Sequence, residues 1–377
     1  MKVLIAPDSF KGSLTAVEVA LAIEAGVRKA LPDAVIERVP IADGGEGTVH
    51  ALVTATGGRI VERRVTGPLG EPVDAFFGIL GDQKTAVVEM AAASGLPLVP
   101  VDRRDPMITT TRGTGELIVA ALDEGCQEVI VGIGGSATND GGAGMAQALG
   151  VSLKDKDGHE IGPGGGALIH TRSVDMRGLD KRVAQTKFVV ACDVDNPLVG
   201  PKGASAVYGP QKGATPQQVE MLDQSLRHFA GVVMESLGVD VADLPGAGAA
   251  GGLGGGLVAF LGASLEPGIR IVLDAVRFHE RVQGADLVIT GEGAIDDQTA
   301  YGKVPVGVAR AAKEFGVPVV AVGGAVSTSA RNLYDQGIDA VFSCTLRPMS
   351  LEEAFVETNA ALEFLGEQII RMMRLGR

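Results

Sequence analysis

Three segments of this 377-residue chain place carboxylates among small residues directly after an apolar, strand-like run. They are APDSFKGS at 6–13, GIGGSATNDGG at 132–142 and TGEGAID at 290–296. A bare turn at the carboxyl end of a strand exposes N–H groups that can hold phosphate, and a following helix N-terminus adds partial positive charge. A carboxylate in the same loop can bind a cation or take a proton. Loops with these parts suit phosphoryl transfer.

Each segment also has a plainer reading. Asp8, Ser9 and Lys11 offer a carboxylate, a hydroxyl and an ammonium at the first loop, which is otherwise an ordinary strand–helix turn. Asp43 and Glu46 lie among the glycines of DGGEGT at 43–48, as ligands for Mg²⁺ or a substrate hydroxyl, or as a helix cap and a first-turn acid. Gly134, Gly135, Ser136, Thr138 and Asn139, with Asp140, form the best phosphate cradle, although the Lys-Ser/Thr of a P-loop is missing. Asp193, Asp195 and Asn196 follow another strand-like run, where an Asp can accept a hydroxyl proton and neighbouring oxygens can hold Mg²⁺, or where an Asx-turn suffices. Lys212, in GPQKG at 209–213, reads as a mobile cation or a surface turn. Glu292, Asp296 and Lys303 belong to the third loop and the helix start after it. GAGAAG at 246–251 matches G-x-G-x-x-G formally. No good strand precedes it and no ribose-binding acid follows, so close helix packing or a flexible phosphate loop outranks a dinucleotide site.

The elements that must position these groups follow from periodicity and punctuation. Residues 2–6 read as a buried strand. Thr15 with Glu18 reads as a capping box, and positions 19, 23, 27 and 31 mark one helix face. A strand at 35–41 and a helix to about 55 complete a strand–helix–strand–helix run. After GPLG at 67–70 the pattern changes. Strands at 73–79 and 85–90 suggest an antiparallel hairpin, and Asp157-Gly158 signals another within 151–161. Helices are expected at 115–124, 144–149 and 216–237, and strands at 128–133 and 187–192. Strands at 286–290, 318–322 and 340–343 alternate with helices at 304–315 and 351–373. The fold class is therefore α/β: a Rossmann-like doubly wound domain built from both termini, 1–66 and 284–377, with an inserted mixed α+β domain at 67–283. The active site is expected in a cleft between them.

Composition narrows the function. With 46% hydrophobic residues the chain can bury large cores. A formal net charge of −13, with no basic cluster interleaved with aromatics, argues against nucleic acid. Cys126, Cys192 and Cys344 form no C-x-x-C pair, so neither a zinc site nor a disulfide framework is indicated. The apolar run at 3–6 is too short for a signal peptide, and nothing approaches a membrane span of about 20 apolar residues. A cytoplasmic protein is expected, and a homo-oligomer is compatible. The five histidines fit neither H-E-x-x-H nor a Ser/His/Asp pattern.

Taken together and in this order, APDSFKGSL (6–14), ADGGEGT (42–48), TRGTGELI (111–118), GIGGSATNDGGAG (132–144), CDVDNPL (192–198), GPQKGA (209–214), GAGAAGGLG (246–254) and TGEGAIDDQT…GK (290–303) resemble the bacterial two-domain glycerate kinase family. The resemblance spans nearly the whole chain. It implies ATP-dependent phosphorylation of D-glycerate, generally to 2-phosphoglycerate, and the same two-domain arrangement. On chemical grounds, Lys11 then attracts the glycerate carboxylate beside Asp8, Ser9, Asp43 and Glu46, and Asp193 accepts the hydroxyl proton. Asp195, Asp296 and Glu292, or Asp43, hold Mg²⁺. The 134–140 loop cradles the ATP phosphates, and Lys212 or Lys303 neutralises developing charge. The rival readings are a kinase of another small hydroxy acid and a non-catalytic nucleotide or metabolite sensor. A nicotinamide oxidoreductase rests on 246–251 alone.

Overall fold

The structure, a computed structural model, describes residues 1–42, 45, 47–297, 299 and 303–375. In chain order the strands are β1 (Lys2–Pro7), β2 (Val35–Arg38), β3 (Arg59–Thr66), β4 (Pro72–Ile79), β5 (Thr85–Glu89), β6 (Glu128–Gly132), β7 (Ser152–Lys154), β8 (Ser173–Asp175), β9 (Lys187–Ala191), β10 (Ser264–Glu266), β11 (Leu287–Ile295), β12 (Val319–Val326) and β13 (Ala340–Ser343). The helices are α1 (Ala16–Ala30), α2 (Thr48–Thr56), α3 (Ala91–Ser94), α4 (Arg112–Asp123), α5 (Ala143–Ala148), α6 (Ala204–Tyr208), α7 (Pro216–Leu237), α8 (Ala249–Leu261), α9 (Gly268–Ala275), α10 (Phe278–Val282), α11 (Val304–Lys313) and α12 (Leu351–Met373). The chain divides into two units, one of Met1–Asp43, His50–Gly57 and Ile269–Arg377, the other of Gly44–Val49 and Gly58–Gly268.

The first unit is built on a sheet of order β13-β12-β11-β1-β2 in which every pairing is parallel. Numbered within the unit, this is 2-1-3-4-5, a doubly wound sheet whose winding reverses between β1 and β11. Side chains alternate across the sheet. Val3, Ile5, Leu287, Ile289, Val320 and Val322 share one core with Val19, Ile23 and Val27 of α1 and Leu362 and Ile369 of α12. Leu4, Val288, Val319 and Ala321, equally enclosed, fall on the opposite side of the pleat. α11 packs along β1, β11 and β12 outside the α1/α12 core. Each such side chain contributes about 1.5–3 kcal/mol on full burial. α1 starts where the sequence says it should: Glu18 N–H donates to Thr15 Oγ1 (3.3 Å) and Thr15 N–H to Glu18 Oε2 (2.8 Å). α1 and α12 meet at two glycines. A Cβ on Gly26 would lie 1.8 Å from the Glu363 carbonyl oxygen, and one on Gly366 2.5 Å from that of Ile23.

The second unit carries a six-stranded sheet, β10-β9-β6-β5-β4-β3. β10, β9, β6 and β5 run parallel, while β4 and β3 are antiparallel additions. The hairpin expected over 73–90 is the β4/β5 pair. Asp157-Gly158 does turn the chain, closed by Asp155 N–H to the His159 carbonyl (2.9 Å), but β7 takes its ladder from β8. The division between units falls away from the expected 66/67 and 283/284. β3 pairs along its length with β4, because GPLG at 67–70 is a hairpin turn and not a linker. α9 belongs to the first unit, where Ile269 packs on Gly307 of α11. Among the described residues no helix is long and apolar enough to cross a membrane.

Candidate active site

Ligands of doubly wound sheets bind outside the carboxyl ends of the strands, at the point where winding reverses. In the first unit, Pro7 at the end of β1 is in register with Gly291, so the loop after β1 opens beside the continuing β11, which runs on to Ile295. A cavity of about 340 Å³ opens there. Asp8, Ser9 and Lys11 enter from β1, and Glu292 from β11, beside Lys303 at the N-cap of α11. Asp8 is 7% exposed; its N–H donates to the Gly291 carbonyl (2.8 Å) and its Oδ1 accepts from Ser9 N–H (2.6 Å). Glu292, also 7% exposed, accepts from the Thr299 hydroxyl at Oε1 (2.6 Å) and faces Lys303 Nζ across 3.6 Å at Oε2. Lys11 is exposed. Two carboxylates and two ammonium groups thus line the cavity. Phe10, Cys344, Leu351, Ala354 and Phe355 supply an apolar wall. Burial pushes the Cys344 thiol up to about 11, so it behaves as apolar lining.

The second unit gathers a polar cluster inside itself. Glu89, Gly132 and Ala191 are mutually in register, so the chain leaves β5, β6 and β9 at one level. After β6, Gly134 and Gly135 are exposed, whereas Ser136, Thr138, Asn139 and Asp140 are buried. Asp140 accepts from the N–H and hydroxyl of Thr111 (2.8 and 2.9 Å) and from the N–H groups of Gly142 and Gly144 (3.2 Å each). Burial raises its carboxyl against those bonds. Asn139 Nδ2 donates to Ser205 Oγ (3.0 Å). Lys212, expected as a mobile cation, is 1% exposed and donates to Ser136 Oγ and the Thr138 carbonyl, both at 2.7 Å. Burial drives its ammonium down to about 7, with Asp140 opposing. The side chains of Thr138, Asn139 and Lys212, read as phosphate contacts, are buried in this structure, and those of Asn139 and Lys212 hold the loop. Gly134 and Gly135 remain as its exposed surface.

The GAGAAG run resolves as packing. α8 is broken at Ala250, Gly251 and Gly252, all with positive φ. A Cβ on Gly251 would lie 2.0 Å from the Thr138 carbonyl oxygen, and Gly141 N–H donates to the Gly251 carbonyl (3.0 Å). The glycines let α8 lie against the 138–142 loop, backbone to backbone.

Asp193 and Asp195 follow β9 and are exposed; Asp193 Oδ1 accepts from Gly268 N–H (2.9 Å). Asn196, read as a metal oxygen, instead accepts from the Tyr208 hydroxyl (2.6 Å) and donates to the Lys202 carbonyl (2.8 Å). Asp43 and Glu46 lie outside the described residues. Of the three residues read as metal ligands, Glu292 and Asp296 belong to the first unit and Asp195 to the second. Among the described residues, no three His, Cys, Asp or Glu side chains converge as for a metal ion. Mg²⁺ brought in with nucleotide phosphates needs only one or two protein carboxylates, and both Asp8 and Glu292 line the cavity. Sequence reasoning missed Glu89, a buried carboxylate whose Oε1 accepts from Val49 N–H (2.7 Å) at the start of α2. Its place at the end of an apolar strand, level with the 133–142 loop, was the available signal.

Known proteins supply independent findings. A family model described as the glycerate kinase family matches residues 3–374. A glycerate kinase of Bacillus subtilis (strain 168) is 58% identical over 377 residues, covering 100% of this chain and 99% of that protein. A glycerate 2-kinase of Escherichia coli (strain K12) is 56% identical over 355 residues, covering 94% and 93%. A crystal structure of a protein described as glycerate kinase 2 from Salmonella typhimurium LT2 superposes with a TM-score of 0.93 at 53% identity, covering 100% and 99%. With the family pattern running from the first strand to the last helix, this chain belongs to the glycerate kinase family.

Proposed function

We propose that this protein transfers the γ-phosphoryl group of MgATP to D-glycerate, giving ADP and 2-phosphoglycerate. The observation that carries the proposal is the cavity at the β1/β11 reversal, where Asp8, Lys11, Glu292 and Lys303 converge in a chain of this family. The 2-position follows the E. coli relative, whose name is glycerate 2-kinase.

In this reading the hydroxyl oxygen of glycerate forms a bond to the γ-phosphorus as the bond from phosphorus to the bridging oxygen of ADP breaks. Asp193, exposed and fixed by Gly268 N–H, takes the hydroxyl proton. Lys11 and Lys303 offset the negative charge of the phosphate and of the glycerate carboxylate. Asp8 and Ser9 bond the glycerate oxygens, with Asp43 and Glu46 as further proposed contacts. Gly134 and Gly135 offer backbone N–H groups to phosphate. Glu292, with Asp8 beside it, would hold Mg²⁺, which when bound neutralises β- and γ-phosphate oxygens. The reaction draws on ATP, so a cytoplasmic setting is part of the proposal.

ADP release measured across a panel of hydroxy acids tests it. D-glycerate should give the highest kcat/KM, and release should stop when Mg²⁺ is chelated. A higher kcat/KM for another hydroxy acid would move the assignment to that substrate, and no ADP release with any of them would favour a sensor.

A further inference from the structure

The cavity of the first unit is lined by both charged and apolar side chains, and only the charged ones suit glycerate. A three-carbon hydroxy acid bears oxygen on every carbon and offers no apolar face. Much of the lining is nevertheless apolar: Leu351, Ala354 and Phe355 from the first turns of α12, with Cys344 and Ala325 from the ends of β13 and β12. Phe355 leaves 39% of its surface exposed although it lines a cavity of about 340 Å³. The ring edge lies beside Gly12, where a Cβ would come within 3.2 Å of Cε2 and Cζ; Gly12 also has φ +82°, which favours glycine. Ser13 Oγ donates to the Phe355 carbonyl (2.9 Å), tying the ring's backbone to the same loop that carries Asp8 and Lys11. A half-exposed aromatic ring in a cavity lined by apolar and cationic side chains is the surface on which a heteroaromatic base stacks.

We infer that this cavity takes the nucleoside half of the phosphoryl donor, its purine base stacked on Phe355 against Leu351, Ala354 and Cys344, with the phosphates directed toward Lys11 and Lys303. The assignment rests on the kinase reading above and deepens it. It also moves the donor's principal site from the 134–139 loop, whose side chains from Ser136 to Asn139 are buried, to the first unit.

The test measures dissociation constants for ADP and for D-glycerate with wild type, Phe355→Ala and Phe355→Tyr. Loss of one stacked base corresponds to about tenfold weaker binding or more. ADP should weaken by that factor in Phe355→Ala and stay within about threefold in Phe355→Tyr, with D-glycerate within about threefold in both. Unchanged ADP binding in Phe355→Ala, or weakening of D-glycerate instead, overturns the inference. Photolabelling of the wild-type protein with 8-azido-ADP needs no variant: label should appear within 344–358 and be displaced by ADP. Displaceable label found only elsewhere contradicts it. ADP release by wild type with D-glycerate reports on the kinase reading separately, so a working kinase with an indifferent Phe355 defeats this inference alone.

Discussion

A lysine enclosed to 1% exposure releases its proton far more readily than one in water, and Lys212 does so near pH 7 instead of its ordinary 10.5. Between those values the unfolded chain holds the proton and the folded chain does not, so folding stability rises with pH across this window. Lys212→Met should flatten that part of the stability–pH profile, read by denaturant melts from pH 7 to 10; an unchanged slope would show that Lys212 titrates normally. Nothing in GPQKG announces such burial. The sequence shows a cation among turn-formers, and only its bonds to Ser136 and Thr138, far away in the chain, decide that it points inward. Asp8, Lys11, Glu292 and Lys303 were legible as one pocket's worth of chemistry because each stands directly beside a strand end or a helix start. Two of the groups given catalytic roles are open to a direct test: Asp193→Asn and Lys11→Ala, with folding verified, should each lower kcat by about 10²-fold or more. Values within threefold of wild type for both would remove those roles.

At the scale of elements, close approach is purchased with glycine. Gly26→Ala would drive a Cβ into the Glu363 backbone, where no side-chain rotation relieves it, and should cost about 1–3 kcal/mol as α1 and α12 separate. Gly251→Ala combines φ +67° with a contact 2.0 Å from the Thr138 carbonyl oxygen and should destabilise at least as much. Because that oxygen also accepts from Lys212, Gly251→Ala should lower kcat as well as the melting temperature. A melting temperature unchanged by either alanine would mean that the helices yield freely. Local signals served these elements well: the Thr15/Glu18 box opens α1, and α7 runs over the expected 216–237. The signals failed where pairing is not local. GPLG looked like a domain boundary, yet β3 is claimed by β4 through side-by-side hydrogen bonds that composition does not encode.

For the whole molecule, a net charge of −13 means that anionic substrates bind against the overall field and rely on local cations. MgATP should raise the melting temperature by mass action, while NAD⁺ should leave it unchanged. Stabilisation by NAD⁺ and not by MgATP would revive the dinucleotide reading of 246–251. The central claim is the reaction itself, and the most direct measurement is ³¹P and ¹³C NMR of the product formed from D-glycerate, MgATP and the purified protein. The account predicts ADP together with a phosphate ester whose phosphorus is split by the single proton on C2 of glycerate and not by the two on C3. An ester at C3, or no ester at all beside intact ATP, would contradict it.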